Sequence, residues 1–189
     1  MLRPVLMLLL AATLLAAAPP ARSAPDPAVK AQFDAYVATV EEAGRLARAA
    51  ASTPDERSLV EAELAFAADA RAPGMATAFA ARWLEDGVFF LPGAPLAIGP
   101  EAVAKALEGE RSDVRWAPLR FAVSGDLGVT WAPTAWLMPA AAGGHRALQG
   151  RFVTTWKRDA AGVWKVWTDI GNFGPVPDLS TTAPKPAAP

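Results

Sequence analysis

The hydrophobic period of the chain changes midway, and this change limits the folds open to it. From Trp116 onward four segments of strand length follow one another, 116–124, 128–138, 148–158 and 163–171. They are joined by Gly125-Asp126-Leu127, by 139–145 and by Asp159-Ala160-Ala161-Gly162, connections of hairpin size or a little longer. Strands in such succession pair antiparallel, because a parallel neighbour needs a crossover of a dozen or more residues. Ahead of them the period is helical. Thr53, Pro54 and Glu56 form a helix-start signature, Leu59, Val60, Leu64, Phe66 and Ala67 recur at helical spacing, and Pro73-Gly74 ends the helix. A short helix over 75–84, a strand over 88–91 and a third helix from Gly99-Pro100-Glu101 to Glu108 complete the domain. Helices first and hairpins last predict an α+β domain over 53–173, with three helices on one antiparallel sheet.

The strands are apolar on both alternation faces. Leu119, Phe121 and Val123 share one parity; Trp131, Ala135 and Leu137 oppose Trp136 and Met138; Trp164, Val166 and Ile170 oppose Trp167. Such a sheet is covered on both sides, by the helices on one face and by a partner, a further helix or a ligand on the other. Pro133 predicts a bulge or an edge in its strand.

Three appendages flank this domain. Residues 1–23 read as a secretory signal peptide: Arg3, an apolar stretch over 5–18 that is shorter than the ~20 residues of a membrane span, and Ala21-Arg22-Ser23 as the cleavage site. The expectation is export to a bacterial periplasm or the medium, without stable membrane insertion after cleavage. Within 24–52 an extra helix over 27–51 carries a narrow stripe of Val29, Phe33, Tyr36, Val37, Val40, Gly44 and Ala47, to be packed on the domain or on a second copy. Residues 174–189, with five prolines and few large apolar side chains, read as a disordered tail.

Composition removes several chemistries. The chain has no cysteine and one histidine, His145, so thiolate catalysis, disulfides and a transition-metal centre are not expected, nor is any cofactor. A net charge of −1 without a basic block argues against nucleic acid. Glycine-rich phosphate loops are missing too.

Glu63-x-x-Phe66, Phe79, Trp83, Phe89-Phe90-x-Pro92, Gly99-Pro100-Glu101-Ala102, Trp116-x-Pro118, Ser124-Gly125-Asp126-Leu127-Gly128, Trp156 and Gly162-x-Trp164-Lys165-Val166-x-x-Asp169-Ile170-Gly171 stand together over 55–175. This pattern resembles the domain-of-unknown-function 4440 family, a SnoaL-like branch of the nuclear transport factor 2-like superfamily that includes the ketosteroid isomerases. The helix over 27–51 lies outside the resemblance. It implies a cone in which a curved sheet wraps a long helix around a deep pocket, commonly in a homodimer formed through the sheet.

Such a fold hosts enzymes, binders and assembly modules alike, so chemistry must come from the site. The isomerases' proton shuttle needs a carboxylate base, which the resemblance would put before Pro92, where Leu91 stands. The only Tyr, Tyr36, lies outside the matched region. Asp169, set among Trp156, Trp167 and Ile170, is the catalytic candidate, since burial there would raise its pKa; the alternative is a strand-end carboxylate bound to turn amides. Asp126 belongs to its hairpin turn, and His145 to a loop that could act as a flap. Arg82 and Arg151 could hold a ligand carboxylate or pair with surface acids, and Glu63 has an inward or a structural role. Seven Trp favour an aromatic-lined cleft, or else fill a core and an interface. Its expected walls are Phe66, Phe79, Trp83, Phe89, Trp116, Phe121, Trp131, Trp156 and Trp167. The first expectation is therefore a small apolar or aromatic ligand in a homodimer's pocket. An interaction module with a filled pocket and an acid–base enzyme using Asp169 are the alternatives.

Overall fold

The computed structural model describes residues 24–91 and 93–176. The expected signal peptide and most of the expected tail lie outside them. Helix α1 (Pro27–Ala50) comes first, followed by α2 (Pro54–Asp69), α3 (Met75–Arg82), β1 (Trp83–Phe90), β2 (Ala97–Ile98) and α4 (Gly99–Ala106). Then come β3 (Asp113–Trp116), β4 (Arg120–Ser124), β5 (Leu127–Pro139), β6 (His145–Arg158) and β7 (Trp164–Phe173). Helix α2 starts where the sequence places it: the Thr53 hydroxyl accepts from the Glu56 N–H while the Glu56 carboxylate accepts from the Thr53 N–H, satisfying two otherwise unpaired donors.

One curved, unclosed sheet runs β2-β1-β7-β6-β5-β3, with β4 also on β5. All pairs are antiparallel except β1 with β7, which are parallel and lie side by side across the whole intervening chain. Helices α2, α3 and α4 cover the concave face, where Leu59, Phe66, Phe79, Val103, Trp156 and Val166 join one buried cluster. Helix α1 packs on the opposite face, placing Phe33 and Val40 against Ala117, Ala135 and Ala147.

Gly128 sets how closely α2 approaches the sheet. A Cβ there would stand 2.8 Å from Leu59 Cδ2. Gly128→Ala is therefore expected to cost about 1–3 kcal/mol by overpacking, read as a lower denaturant midpoint at unchanged m value.

The sheet is not wholly antiparallel as expected, since β1 lies parallel to β7, and β1 starts at Trp83 rather than 88, taking residues 83–84 from the expected helix over 75–84. Four further details depart from the sequence reading. The expected strand over 116–124 is two strands, because Pro118 between them lacks the N–H a ladder needs. Pro133 produces no register shift between β5 and β6. It falls between the β5 residues that pair with β4 and those that pair with β3, so no edge partner needs its missing N–H. His145 opens β6 opposite Pro139, and the loop is only 140–144. The fourth concerns β7. Thr155 pairs with Thr168 but Trp156 pairs with Val166, so Trp167 is an extra residue in β7. Alternation from Val166 would turn Ile170 inward; beyond this bulge it is Asp169 that turns in and Ile170 that turns out.

Residues 174–176 also continue the fold rather than begin a tail. Gly174 N–H donates to Gln149 O at 3.0 Å, and Arg151 Nη1 donates to Pro175 O at 2.9 Å.

Candidate ligand cavity

One cross-strand row on the concave face organises the polar groups. Thr130 of β5 pairs with Thr154 of β6, Thr154 with Asp169 of β7, and Asp169 with Phe89 of β1. Paired residues present their side chains to one face, so two threonines and a carboxyl lie side by side beneath α2. The Thr154 hydroxyl donates to Asp169 Oδ2 at 2.6 Å. At the other end of the row Thr130 Oγ1 donates to Glu63 Oε2 at 2.5 Å.

Glu63 reaches this row from α2 and is fully buried. Trp116 Nε1 donates to Glu63 Oε1 at 2.8 Å, and Trp156 Nε1 donates to Oε2 at 3.2 Å and to Thr130 Oγ1 at 3.1 Å. Two indoles and a hydroxyl therefore clamp one carboxyl. Burial pushes Glu63 up to about 7, against the pull of its Thr130, Trp116 and Trp156 hydrogen bonds. Asp169 is also raised to about 7, again by burial; the Thr154 hydrogen bond opposes this and the neighbouring Glu63 charge adds to it. Each carboxyl is thus poised between its neutral and charged forms near neutral pH.

Beside the row opens a cavity of about 270 Å³. Its walls are largely apolar, with Phe66, Met75 and Phe79 from the helices, Phe89 and Leu91 from the β1 end, Val114 and Trp116 from the edge strand β3, and Trp136 and Phe152 from β5 and β6. The Phe66 ring lies 4.6 Å from that of Phe79, 5.3 Å from Trp116 and 6.0 Å from Trp156. Polar groups are few. Asp169 and Thr134 lie in the walls, together with Glu110, Arg151 and Asn172. Arg151 donates through Nε to Asn172 Oδ1 at 3.1 Å, which fixes its guanidinium beside the cavity.

The nine wall residues expected from sequence divide accordingly. Phe66, Phe79, Phe89 and Trp116 line the cavity, with Asp169 among them. Trp83 lies behind, its ring stacked on Phe79 at 5.4 Å, and Trp156 is buried under Glu63. Phe121 packs beneath α2 beside Val60. Trp131 and Trp167 take the outer face: Trp131 pairs with outward Val153, and Trp167 is exposed under the Lys157 ammonium at 5.5 Å. The fold was expected to turn both inward, whereas their face is set by alternation and, for Trp167, by the bulge. Trp136 and Phe152, not among the expected walls, line the cavity and share parity with Thr130 and Trp156. Leu91 does line the cavity, so the position where the resemblance would seek a base is apolar. Arg82 is held away by an ion pair with Asp69 at 2.5 Å. Among the described residues no cluster of three metal-ligating side chains occurs.

No family model matches the chain, and no curated protein matches it in sequence. Solved structures do. A ketosteroid isomerase-like protein from Erwinia carotovora atroseptica superposes with TM-score 0.56 at 19% identity, covering 64% of this chain and 98% of that one. A nuclear transport factor 2-like protein with a cystatin-like fold from Novosphingobium aromaticivorans gives TM-score 0.51 at 20% identity, covering 63% and 81%. With the helices on the concave face of an open curved sheet and the cavity between them, the chain has the ketosteroid-isomerase-like, nuclear transport factor 2-like fold.

Proposed function

We propose that the chain binds a small neutral aromatic molecule in the concave cavity and that Asp169, in its protonated form, donates a hydrogen bond to an acceptor oxygen of that ligand. The observation that carries this reading is one polar row ending at Asp169 in the wall of an otherwise mostly apolar cavity. A volume of about 270 Å³ lies between the ~150 Å³ that accommodates benzene and the ~300 Å³ at which drug-sized pockets begin, so the ligand has one or two rings. An unfilled cavity favours this over an interaction module whose pocket is occupied by side chains. Titration calorimetry with 2-acetylnaphthalene tests it. Saturable binding is expected in wild type, weakened at least tenfold by Val114→Phe, which intrudes on the wall; no saturable binding in wild type contradicts it.

An acid–base enzyme is a second reading, favoured by one observation: Asp169 titrates near the pH at which a general acid or base is most effective. In that case Asp169→Asn abolishes turnover while the fold persists.

Export and a homodimer belong to the same proposal. Trp131, Val153, Ile170 and Phe90 form one row across β5, β6, β7 and β1 on the outer face, and the last three are exposed with Val129, Trp167 and Ile98 nearby on the sheet. A contiguous apolar row on an open sheet is a surface for burial. Ile170→Glu with Val153→Glu is expected to convert a dimer to a monomer in native mass spectrometry, with the melting temperature depending on protein concentration only in wild type. A monomeric wild type contradicts the dimer.

A further inference from the structure

A second cavity, of about 380 Å³, opens on the other side of Trp116, between α1, α2 and β3. Its existence depends on α1, the helix that the sequence resemblance does not cover. Val37, Val40, Glu41, Gly44, Arg45 and Arg48 recur at helical spacing and present one face of α1 to it. Gly44 allows the close approach that forms the groove: a Cβ there would stand 3.0 Å from that of Ala117.

The chemistry of this groove differs from that of the inner cavity. Its floor is apolar, made by Val37, Val40, Leu64, Trp116 and Ala117, while Arg45, Arg48, Arg71 and Arg115 converge on it against a single acid, Glu41. Three of these arginines already hold a carboxylate of the protein. Arg45 takes Glu42 through Nε and Nη2; Arg48 takes Glu61 in the same way, at 2.7 and 3.0 Å; Arg115 takes Asp113 at 2.8 Å. Arg71, just past the end of α2, holds none among the described residues. Guanidinium forks match carboxylates in a bidentate manner, and exposed ion pairs are weak enough to yield to a better placed anion.

We infer that this groove is a binding site for a small amphipathic carboxylate, its apolar body on the Trp116 and Val40 floor and its carboxylate on Arg71, with Arg45 assisting. The site is separate from the Asp169 cavity and does not depend on the function proposed for that cavity.

Titration calorimetry with sodium 3-phenylpropanoate, alongside its neutral amide, tests the site. Saturable binding of the carboxylate is expected, at least tenfold tighter than the amide and weakening as sodium chloride is raised. Arg71→Gln is expected to weaken it at least tenfold, and Arg45→Gln with Arg71→Gln further, while melting temperatures stay near wild type because both side chains are exposed. Three results overturn the inference: no binding by wild type, equal affinity for acid and amide, or unchanged affinity in both arginine variants. In the last case a lower melting temperature would show Arg71 to be only a favourable charge at a helix C-terminus. Should the double variant unfold, the single Arg71→Gln variant decides.

Discussion

Glu63→Ala is expected to lower the unfolding free energy by about 3–5 kcal/mol, the largest effect of any single substitution argued for this chain. Two terms add. Truncation leaves a void between α2 and the sheet at a position with no exposure. It also strips the partner from Trp116 Nε1, and one of two partners from the Thr130 hydroxyl and from Trp156 Nε1, all in the interior. A buried donor left unsatisfied costs about 1–3 kcal/mol, so one or two such losses together with the void reach the stated range. Glu63→Gln keeps the volume and an acceptor oxygen but turns an amide N–H toward donors, and is expected to cost about 1–2 kcal/mol. Urea denaturation of both variants checks the order. Equal, small losses would mean that the clamp on Glu63 contributes little.

The second large effect is a fall in stability as pH rises. Asp169 and Glu63 have ordinary values of 3.8 and 4.5, and in the folded chain both lie at about 7. Between those limits the folded chain binds more protons than the unfolded one, so the unfolding free energy decreases with rising pH across the window. The contribution is fully present below about pH 4 and is lost progressively as pH rises through about 7. Carboxylates paired with arginine act in the opposite sense: Glu61, held low by its Arg48 hydrogen bond, favours folding as pH rises, but it is largely exposed and counts for less. Melting temperature measured from about pH 5 to pH 8 is therefore expected to fall, and the double variant Glu63→Gln with Asp169→Asn to flatten the profile. A wild-type profile that rises over this range would show that both carboxyls ionise in the fold without penalty.

Much of the fold could be read from where helical period gives way to alternation, and from punctuation such as Thr53-Pro54-x-Glu56 and Gly125-Asp126. Residues that act through a local irregularity were harder to read. Pro118 carried a signal, since a proline inside an expected strand argues for a break, and it divides β3 from β4. The bulge at Trp167 has no glycine or proline to announce it; it arises from pairing with β6 and inverts every side chain after it. Asp169 was singled out by its apolar neighbours, yet strict alternation gives its inward place to Ile170. Phe152 and Trp136 share parity with Trp156 and Thr130, so alternation alone gives them the inner face that Trp131 and Trp167 do not have. The link from Glu63 to Trp116, Thr130 and Trp156 spans 53 to 93 residues of sequence, so no local pattern encodes it. The arginine groove is of the same kind, assembled by α1, α2 and β3 from residues far apart in the chain.

The proposal that a protonated Asp169 receives an aromatic ligand's oxygen is tested most directly by comparing two ligands of nearly one shape, 2-acetylnaphthalene and 2-ethylnaphthalene, in calorimetric titrations at about pH 6 and pH 8.5, on either side of the Asp169 transition. The account predicts that the ketone binds about tenfold tighter than the hydrocarbon at the lower pH, as expected for a buried hydrogen bond, and that this advantage disappears at the higher pH as Asp169 ionises. Equal affinities for the two ligands at the lower pH, or a ketone advantage that persists unchanged at the higher, would contradict it.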